Sequence, residues 1–379
     1  MGTFPLELKP ASIVPIHDQL VAYLSDQISG RHLAPGERVP SENELAGQLG
    51  ISRMTVRRAF DTLVYAGLLV RRQGKGTFVV TESSGLVAFI GQTLTSGISS
   101  ELVAQVNHAI ARRSLTGWHL LVCGADNDPD RQREYVHTLQ RHGVRGILLA
   151  PAVLEAYERN METLLALRAS GLPFVLMERY VEHVQCDYVV SDNHRIGFLA
   201  TDHLARLGHR RIALLQGAPV PSITQRGHGY RAALQEHNLP FDPKLVAYWP
   251  DHTSQLDGAT VASLLDSGAT AVFCYTDQGA MQVMDYCVTH GIRVPEDLAL
   301  VGVGDLRIAW GPKPVLTTVR QDFRSMAERA LDILLRRIDG QLGSGVYQHE
   351  VLDVELVVRA SCGARKAVPA SAGARAATP

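Results

Sequence analysis

The sequence predicts an α/β protein in two unequal parts: a small helical head closed by a hairpin, and a much larger doubly wound domain built on parallel sheet. Three observations predict it. The chain has 379 residues, whereas a single core stops growing at roughly 250 to 300 residues. Residues 35 to 80 place a capped helix start, a short turn, an arginine-studded helix and a glycine-tipped hairpin in one run. Beyond residue 85, apolar runs of strand length alternate with stretches long enough for crossover helices.

The head opens with Ile16, Leu20, Tyr23, Leu24 and Ile28 at helical spacing, stopped by Gly30. After a polar loop and Pro40, Ser41 and Glu44 form a capping-box pattern that starts a second helix through Leu45, Ala46 and Leu49 to Gly50. A third helix begins at Ser52, with Val56, Phe60, Leu63 and Val64 as its inward stripe and Gly67 closing it. Residues 68 to 80 then read as a two-stranded hairpin turning at Gly74-Lys75-Gly76.

The formal net charge is -1, so any affinity for nucleic acid has to come from local clustering of positive charge. Arg53, Arg57, Arg58, Arg71, Arg72 and Lys75 supply it, opposed between positions 53 and 75 only by Asp61. A helix fits the major groove of duplex DNA, and arginines near its start can neutralise phosphate or fork onto guanine. Arg53 and Arg57 lie one turn apart and share a face. Thr55 can meet a thymine methyl or a phosphate, and the hairpin tip offers Gln73 and Lys75 beside glycines that let the backbone approach closely. A merely solvated basic helix is the competing reading; the conjunction of turn, helix and tip argues against it.

Residues 15 to 79 resemble the winged helix-turn-helix of the GntR family of bacterial transcription regulators. The resemblance rests on Gly36, Pro40-Ser41-Glu42, Leu45-Ala46, Ser52-Arg53, Thr55-Val56-Arg57, Ala59, Leu63, Gly67-Leu68 and Gln73-Gly74-Lys75-Gly76-Thr77-Phe78. It implies base and phosphate contacts from Arg53, Thr55 and Arg57, with Gln73 and Gly74 in a minor-groove wing. Ser52, Arg58 and Lys75 complete the expected DNA-binding face. Many members carry an arginine where this chain has Asn43, so a contact there is expected to be weaker or different.

In the larger part the candidate strands are 87–90, 120–123, 146–150, 173–177, 212–216, 271–275 and 298–303. Parallel sheets of this kind bind ligands where strand carboxyl ends turn into helices. The head is taken as 10–80, a polar linker as 81–85 and the larger domain as 86–360. Residues 363–379 are rich in Ala, Arg, Ser and Pro without apolar periodicity and read as a disordered tail.

Residues 86 to 340 resemble the effector domain of LacI/GalR regulators, itself similar to periplasmic sugar-binding proteins and hence two-lobed. The resemblance is carried by Val189-Val190-Ser191-Asp192-Asn193, Leu207-Gly208-His209-Arg210-Arg211-Ile212-Ala213 and Gln225-Arg226-Gly227-His228-Gly229-Tyr230. Further along it continues through Cys274-Tyr275-Thr276-Asp277, Val294-Pro295-Glu296-Asp297-Leu298 and Leu316-Thr317-Thr318-Val319-Arg320-Gln321-Asp322. A GntR head on such a sensor is the arrangement of AraR-type arabinose repressors.

Sugar recognition needs carboxylates and amides that share hydroxyls, a fixed guanidinium fork and an aromatic face. The expected effector set is Glu178 after its strand, Arg226 opening a helix, Tyr275 with Thr276 and Asp277, Asp305 after Val303, and Gln321 in the late crossover segment. Tyr275 or Trp310 could stack on a ring. A structural ion pair is the competing reading for Arg226 and Asp277, and helix capping for Asp305 and Glu178. Relatives often carry Asn-Asp and Asp-Asp where this chain has Thr276-Asp277 and Gly304-Asp305, so arabinose does not follow automatically.

Other chemistries find less support. Asp126-Asn127-Asp128-Pro129-Asp130 starts like a calcium loop, but Arg131 stands where that loop needs glycine and His137 where it needs glutamate. The run is expected to cap the next helix. Gly302-Val303-Gly304 lacks the third glycine of a dinucleotide fingerprint, and neither GxSxG nor HExxH occurs. The five cysteines are widely spaced without a CxxC pair and read as buried thiols. An enzyme domain of the aminotransferase type, the alternative reading, needs a Schiff-base lysine; Lys244, Lys313 and Lys366 lie in no convincing site. The N-terminus lacks a basic segment followed by an apolar stretch, and nowhere do about 18 apolar residues run together, so a cytoplasmic protein is expected. The reading is a non-enzymatic, cofactor-free and metal-free homodimer that binds a palindromic operator and is released by a carbohydrate.

Overall fold

The computed structural model describes residues 14–364 apart from 31, 35, 67, 73, 80–84, 95–96, 114, 116, 153–156, 250–254, 307–313 and 344. Gln73, Trp310, most of the expected linker and residues 365–379 of the expected tail lie outside the described residues.

The head folds as α1 (Ile16–Ser29), α2 (Glu42–Leu49), α3 (Arg53–Tyr65), β1 (Leu69–Arg72) and β2 (Gly76–Val79). Its helix starts form as the local sequence dictates. Ser41 accepts from Glu44 N and the Glu44 carboxylate returns to Ser41 N, a complete capping box; Ser52 caps α3 by accepting from Thr55 N. Leu20, Leu24, Leu45, Val56, Phe60 and Leu63 from the three helices are fully buried together. The hairpin gains a third strand-like segment that its pattern did not announce: Val39 N donates to Thr77 O and Val79 N to Glu37 O, with Arg38 bridged to Phe78.

The N-terminal lobe follows with β3 (Leu86–Gly91), α4 (Gly97–Arg112), β4 (His119–Gly124), α5 (Pro129–Arg141), β5 (Gly146–Leu149), α6 (Tyr157–Ser170), β6 (Phe174–Met177) and β7 (Asp187–Ser191). The C-terminal lobe holds α7 (Asn193–Arg206), β8 (Ile212–Gln216), α8 (Pro221–Glu236), β9 (Val246–Tyr248), α9 (Gly258–Asp266) and β10 (Ala271–Cys274). It continues with α10 (Asp277–Thr289), β11 (Ala299–Gly304) and β12 (Thr317–Gln321). The chain then returns through α11 (Phe323–Ile338) and β13 (His349–Leu352) to the first lobe and ends on β14 (Val354–Val357) in the second.

Among the described residues each lobe carries a six-stranded sheet, ordered β13-β7-β6-β5-β3-β4 in the first and β14-β12-β11-β10-β8-β9 in the second. All pairings within these two sheets are parallel except β12 with β14. Apolar clusters cover both faces of each sheet, which is why the central strands read as continuous apolar runs. The five cysteines are buried and unpaired. Asp128 caps α5 through Asp130 N and Arg131 N.

The chain crosses between the lobes at Asp192, Asp322 and Asp353. The first two of these aspartates cap α7 and α11, accepting from Arg195 N at 2.8 Å and Ser325 N at 2.9 Å. Two sequence expectations are corrected here. Gln321 ends strand β12 instead of lying in a crossover, because Thr317, Thr318 and Arg320 disguise a strand whose residues are mostly buried. Arg226 sits mid-way along α8, which Pro221 already opens.

Candidate functional site

The head presents α3 as an exposed basic ridge. Arg53, Arg57 and Arg58 are exposed, as are Asn43 at the start of α2 and Gly74 and Lys75 at the hairpin tip. Gly74 has φ 69, a left-handed geometry that glycine adopts without strain. The basic residues are not equivalent. Glu42 accepts from Arg53 Nε at 3.2 Å and from Arg71 at 3.2 Å, and Asp61 holds Arg71 at 2.5 Å. Among the described residues no carboxylate pairs with Arg57 or Arg58, so their charge remains outward. Thr55 is half-buried, with its hydroxyl 2.8 Å from Ser52 Oγ. Ser52 and Thr55 therefore order the helix start from which the arginines project.

Between the lobes lies a narrow cleft, partly open to solvent. The N-terminal lobe lines it with Gln92, Ile98, Glu178 and Arg179, and the C-terminal lobe with Val220, Ile223, Arg226, Tyr275, Thr276 and Leu306, among others. Glu178 follows β6 with φ 69, a costly backbone for a residue with a side chain. That turn buries its carboxylate at 2.6 Å from Arg179 Nε and 3.8 Å from Arg226. Gln92, its amide oxygen toward the guanidinium, accepts from Arg179 at 2.7 Å.

Arg226 is 1% exposed. Its Nε donates to Asn193 at 2.8 Å, one terminal nitrogen to Tyr275 O at 2.5 Å and the other to Gln321 at 3.5 Å. Gln321 in turn donates to Ser191 Oγ at 3.0 Å, a second bond between the lobes. Burial pulls the Arg226 pKa down to about 10, opposed by the Glu178 charge; the guanidinium stays protonated at neutral pH. Helix α8 can approach α7 this closely because Gly197 and Gly229 stand where they touch: a Cβ at either would collide with the carbonyl oxygen of Arg226 or His194.

Of the residues expected to hold an effector, Glu178, Arg226, Tyr275 and Thr276 line the cleft, and Gln321 stands behind Arg226. Asp277 and Asp305 are turned to structural partners. Asp277 accepts from Leu306 N at 2.7 Å and Thr318 Oγ1 at 2.6 Å, and burial raises its pKa to about 6. Asp305, at φ 56, is held by Arg320 at 2.8 Å and Arg359 at 2.6 Å. Thr276 caps α10, its hydroxyl accepting from Gly279 N at 3.1 Å. Gln92, Arg179 and Leu306 line the cleft without having been singled out in the sequence. All three follow strand ends, the one signal that could have found them.

Residues 16–79 match the family described as bacterial regulatory proteins, gntR family, and residues 201–362 match the periplasmic binding protein-like domain. The chain is 29% identical over 358 residues to an arabinose metabolism transcriptional repressor of Geobacillus stearothermophilus, spanning 89% of this chain and 96% of that one. It is 30% identical over 288 residues to an HTH-type transcriptional repressor PurR of Vibrio atlanticus, covering 75% of this chain and 82% of the relative. Among solved structures, a transcriptional regulator CelR-cellobiose complex superposes with a TM-score of 0.62 at 25% identity, covering 85% of this chain and all of that one. With a basic reading head and a lobed ligand domain in one chain, the protein belongs to the GntR-headed, LacI-type family of ligand-responsive, DNA-binding transcription regulators.

Proposed function

We propose that this chain represses carbohydrate-utilisation genes by binding palindromic operator DNA as a homodimer, and that a sugar or sugar-like effector seated between the lobes releases it. The head, residues 10–80, would read DNA through Asn43, Ser52, Arg53, Thr55, Arg57, Arg58, Gln73, Gly74 and Lys75. The domain at 86–360 would take the effector against Glu178, Arg226, Tyr275 and Thr276, backed by Asp277, Asp305 and Gln321. One observation carries the reading: the Glu178 and Arg226 side chains meet across the lobes inside the cleft. A ligand that exchanges hydrogen bonds with this pair has a different affinity for each lobe arrangement and so shifts their populations.

A binding role is favoured over a catalytic one because the charged groups of the cleft are engaged with one another. No described helix is long and apolar enough to cross a membrane, and we place the protein in the cytoplasm with its DNA. The test combines light scattering for the dimer with fluorescence anisotropy on DNA from upstream of its own and neighbouring genes, titrated with carbohydrates. A monomer, or operator binding indifferent to every carbohydrate that stabilises the protein thermally, overturns the proposal.

A further inference from the structure

We infer that the effector carries an apolar part, being a deoxy sugar or a glycoside in place of a fully hydroxylated sugar; this rests on the proposal that the cleft is a carbohydrate effector site. The two walls of the cleft differ in chemistry. On the N-terminal lobe the wall is polar, formed by Gln92, Glu178 and Arg179 with Ile98 beside them. On the C-terminal lobe it is mainly apolar, with Val220, Ile223 and Leu306 beside the Tyr275 ring.

The polar groups of the second wall already have partners inside the lobe, so a ligand gains from them only by exchange. Arg226 spends its guanidinium on Asn193, the Tyr275 carbonyl and Gln321. The Thr276 hydroxyl accepts from Gly279 N and keeps only its own hydrogen for a ligand, and the Asp277 carboxylate accepts from Leu306 N and Thr318. At position 304 there is no side chain, and φ is 127. A Cβ there would lie 2.9 Å from Leu306 Cγ, so Leu306 occupies the space that a residue at 304 would need. Gln278 also reaches the cleft, but it equally lines an outer groove and so marks the mouth.

A hydroxyl pressed on Val220, Ile223 or Leu306 gives up water and receives no partner. A methyl group or an aglycone in the same place gains burial, worth about fourfold in affinity per methylene. The polar edge of such a ligand meets Gln92, Glu178 and Arg179, exchanging its hydroxyls for part of the bonds these three make to one another.

The test is calorimetric titration of the full chain with matched pairs: L-fucose against L-galactose, L-rhamnose against L-mannose, and methyl and phenyl β-D-glucopyranosides against D-glucose. The expected result is that the deoxy or glycoside member of a binding pair binds at least about tenfold tighter than its parent. Leu306→Asn should narrow that gap, and Val220→Thr, which keeps shape, reads the same wall if the first variant fails to fold. A parent sugar that binds as well as its deoxy or glycoside partner overturns the inference while leaving a sugar sensor standing. Absence of binding by any carbohydrate overturns both.

Discussion

Arg226 of the C-terminal lobe brings a guanidinium nitrogen to 3.8 Å from the Glu178 carboxylate of the N-terminal lobe, with side chains 1% and 2% exposed. Glu178 also holds Arg179, so one buried anion serves two cations. Removing a shared partner leaves uncompensated charge in a low dielectric, at about 3–5 kcal/mol. Glu178→Gln should therefore lower unfolding free energy by about that amount. Arg226→Met, which leaves the Glu178 and Arg179 pair intact, should cost about 1–3 kcal/mol through stranded acceptors. Urea denaturation of both variants gives the order, and the reverse order would refute the shared-anion account.

On the head, Glu42 takes up two of the cations that face outward, Arg53 and Arg71. Glu42→Gln should free Arg53, leave Arg71 held by Asp61 alone and remove an opposing charge, tightening DNA binding about two- to fivefold with a stability change below about 1 kcal/mol. Arg57, unpaired among the described residues, should behave oppositely: Arg57→Ala should weaken operator binding by about 1–3 kcal/mol. Anisotropy titrations across a salt series separate its role, since loss of a phosphate contact lowers the salt slope by about one and loss of a base contact relaxes sequence preference.

Local signals carried furthest in the sequence. The capping box of Ser41 and Glu44, the Ser52 cap and the apolar stripe of α3 depend on residues within one or two turns, and the fold places them so. Strand ends were legible too, because buried parallel strands read as apolar runs. Strands β7, β9, β12, β13 and β14 were not, since β9 has only three residues and Asp187, Thr317, Arg320, His349 and Glu355 interrupt any such run in the others. Nor could spacing reveal which way a strand-end carboxylate turns. Asp305 faces Arg359 from the segment after β14, and Asp277 faces Thr318 from β12; both partners arrive only when the last strands close the sheet.

Asp277 makes a pH prediction. Burial raises its pKa from 3.8 to about 6, against the lowering effect of its bonds to Thr318 and Leu306 N. A carboxyl group whose folded pKa is raised binds its proton more tightly when folded. Its contribution to stability is complete below about pH 4 and is lost as pH rises through about 6. Asp277→Asn, neutral throughout, lacks this loss. The melting temperature of the variant minus that of the wild type should therefore rise from pH 4 to pH 7. A flat difference would mean that Asp277 titrates alike in both states.

The closest helix contact in the C-terminal lobe sets where Arg226 stands. Gly197 on α7 meets the Arg226 carbonyl and Gly229 on α8 meets the His194 carbonyl, and a Cβ at either would overlap backbone atoms. Backbone cannot rotate away as a side chain can, so the helices would have to separate. Gly227 is the control: its neighbour at 3.2 Å is the movable Gln216 side chain. Gly197→Ala and Gly229→Ala should each lose about 1–3 kcal/mol or more. Gly227→Ala should come near neutral, since alanine also favours the helix by up to about 1 kcal/mol. If effector binding depends on the seating of Arg226, folded fractions of the first two variants should also bind more weakly, measured by calorimetry at a temperature well below their melting points. Unchanged affinity in a destabilised Gly197→Ala protein would separate the helix contact from the cleft.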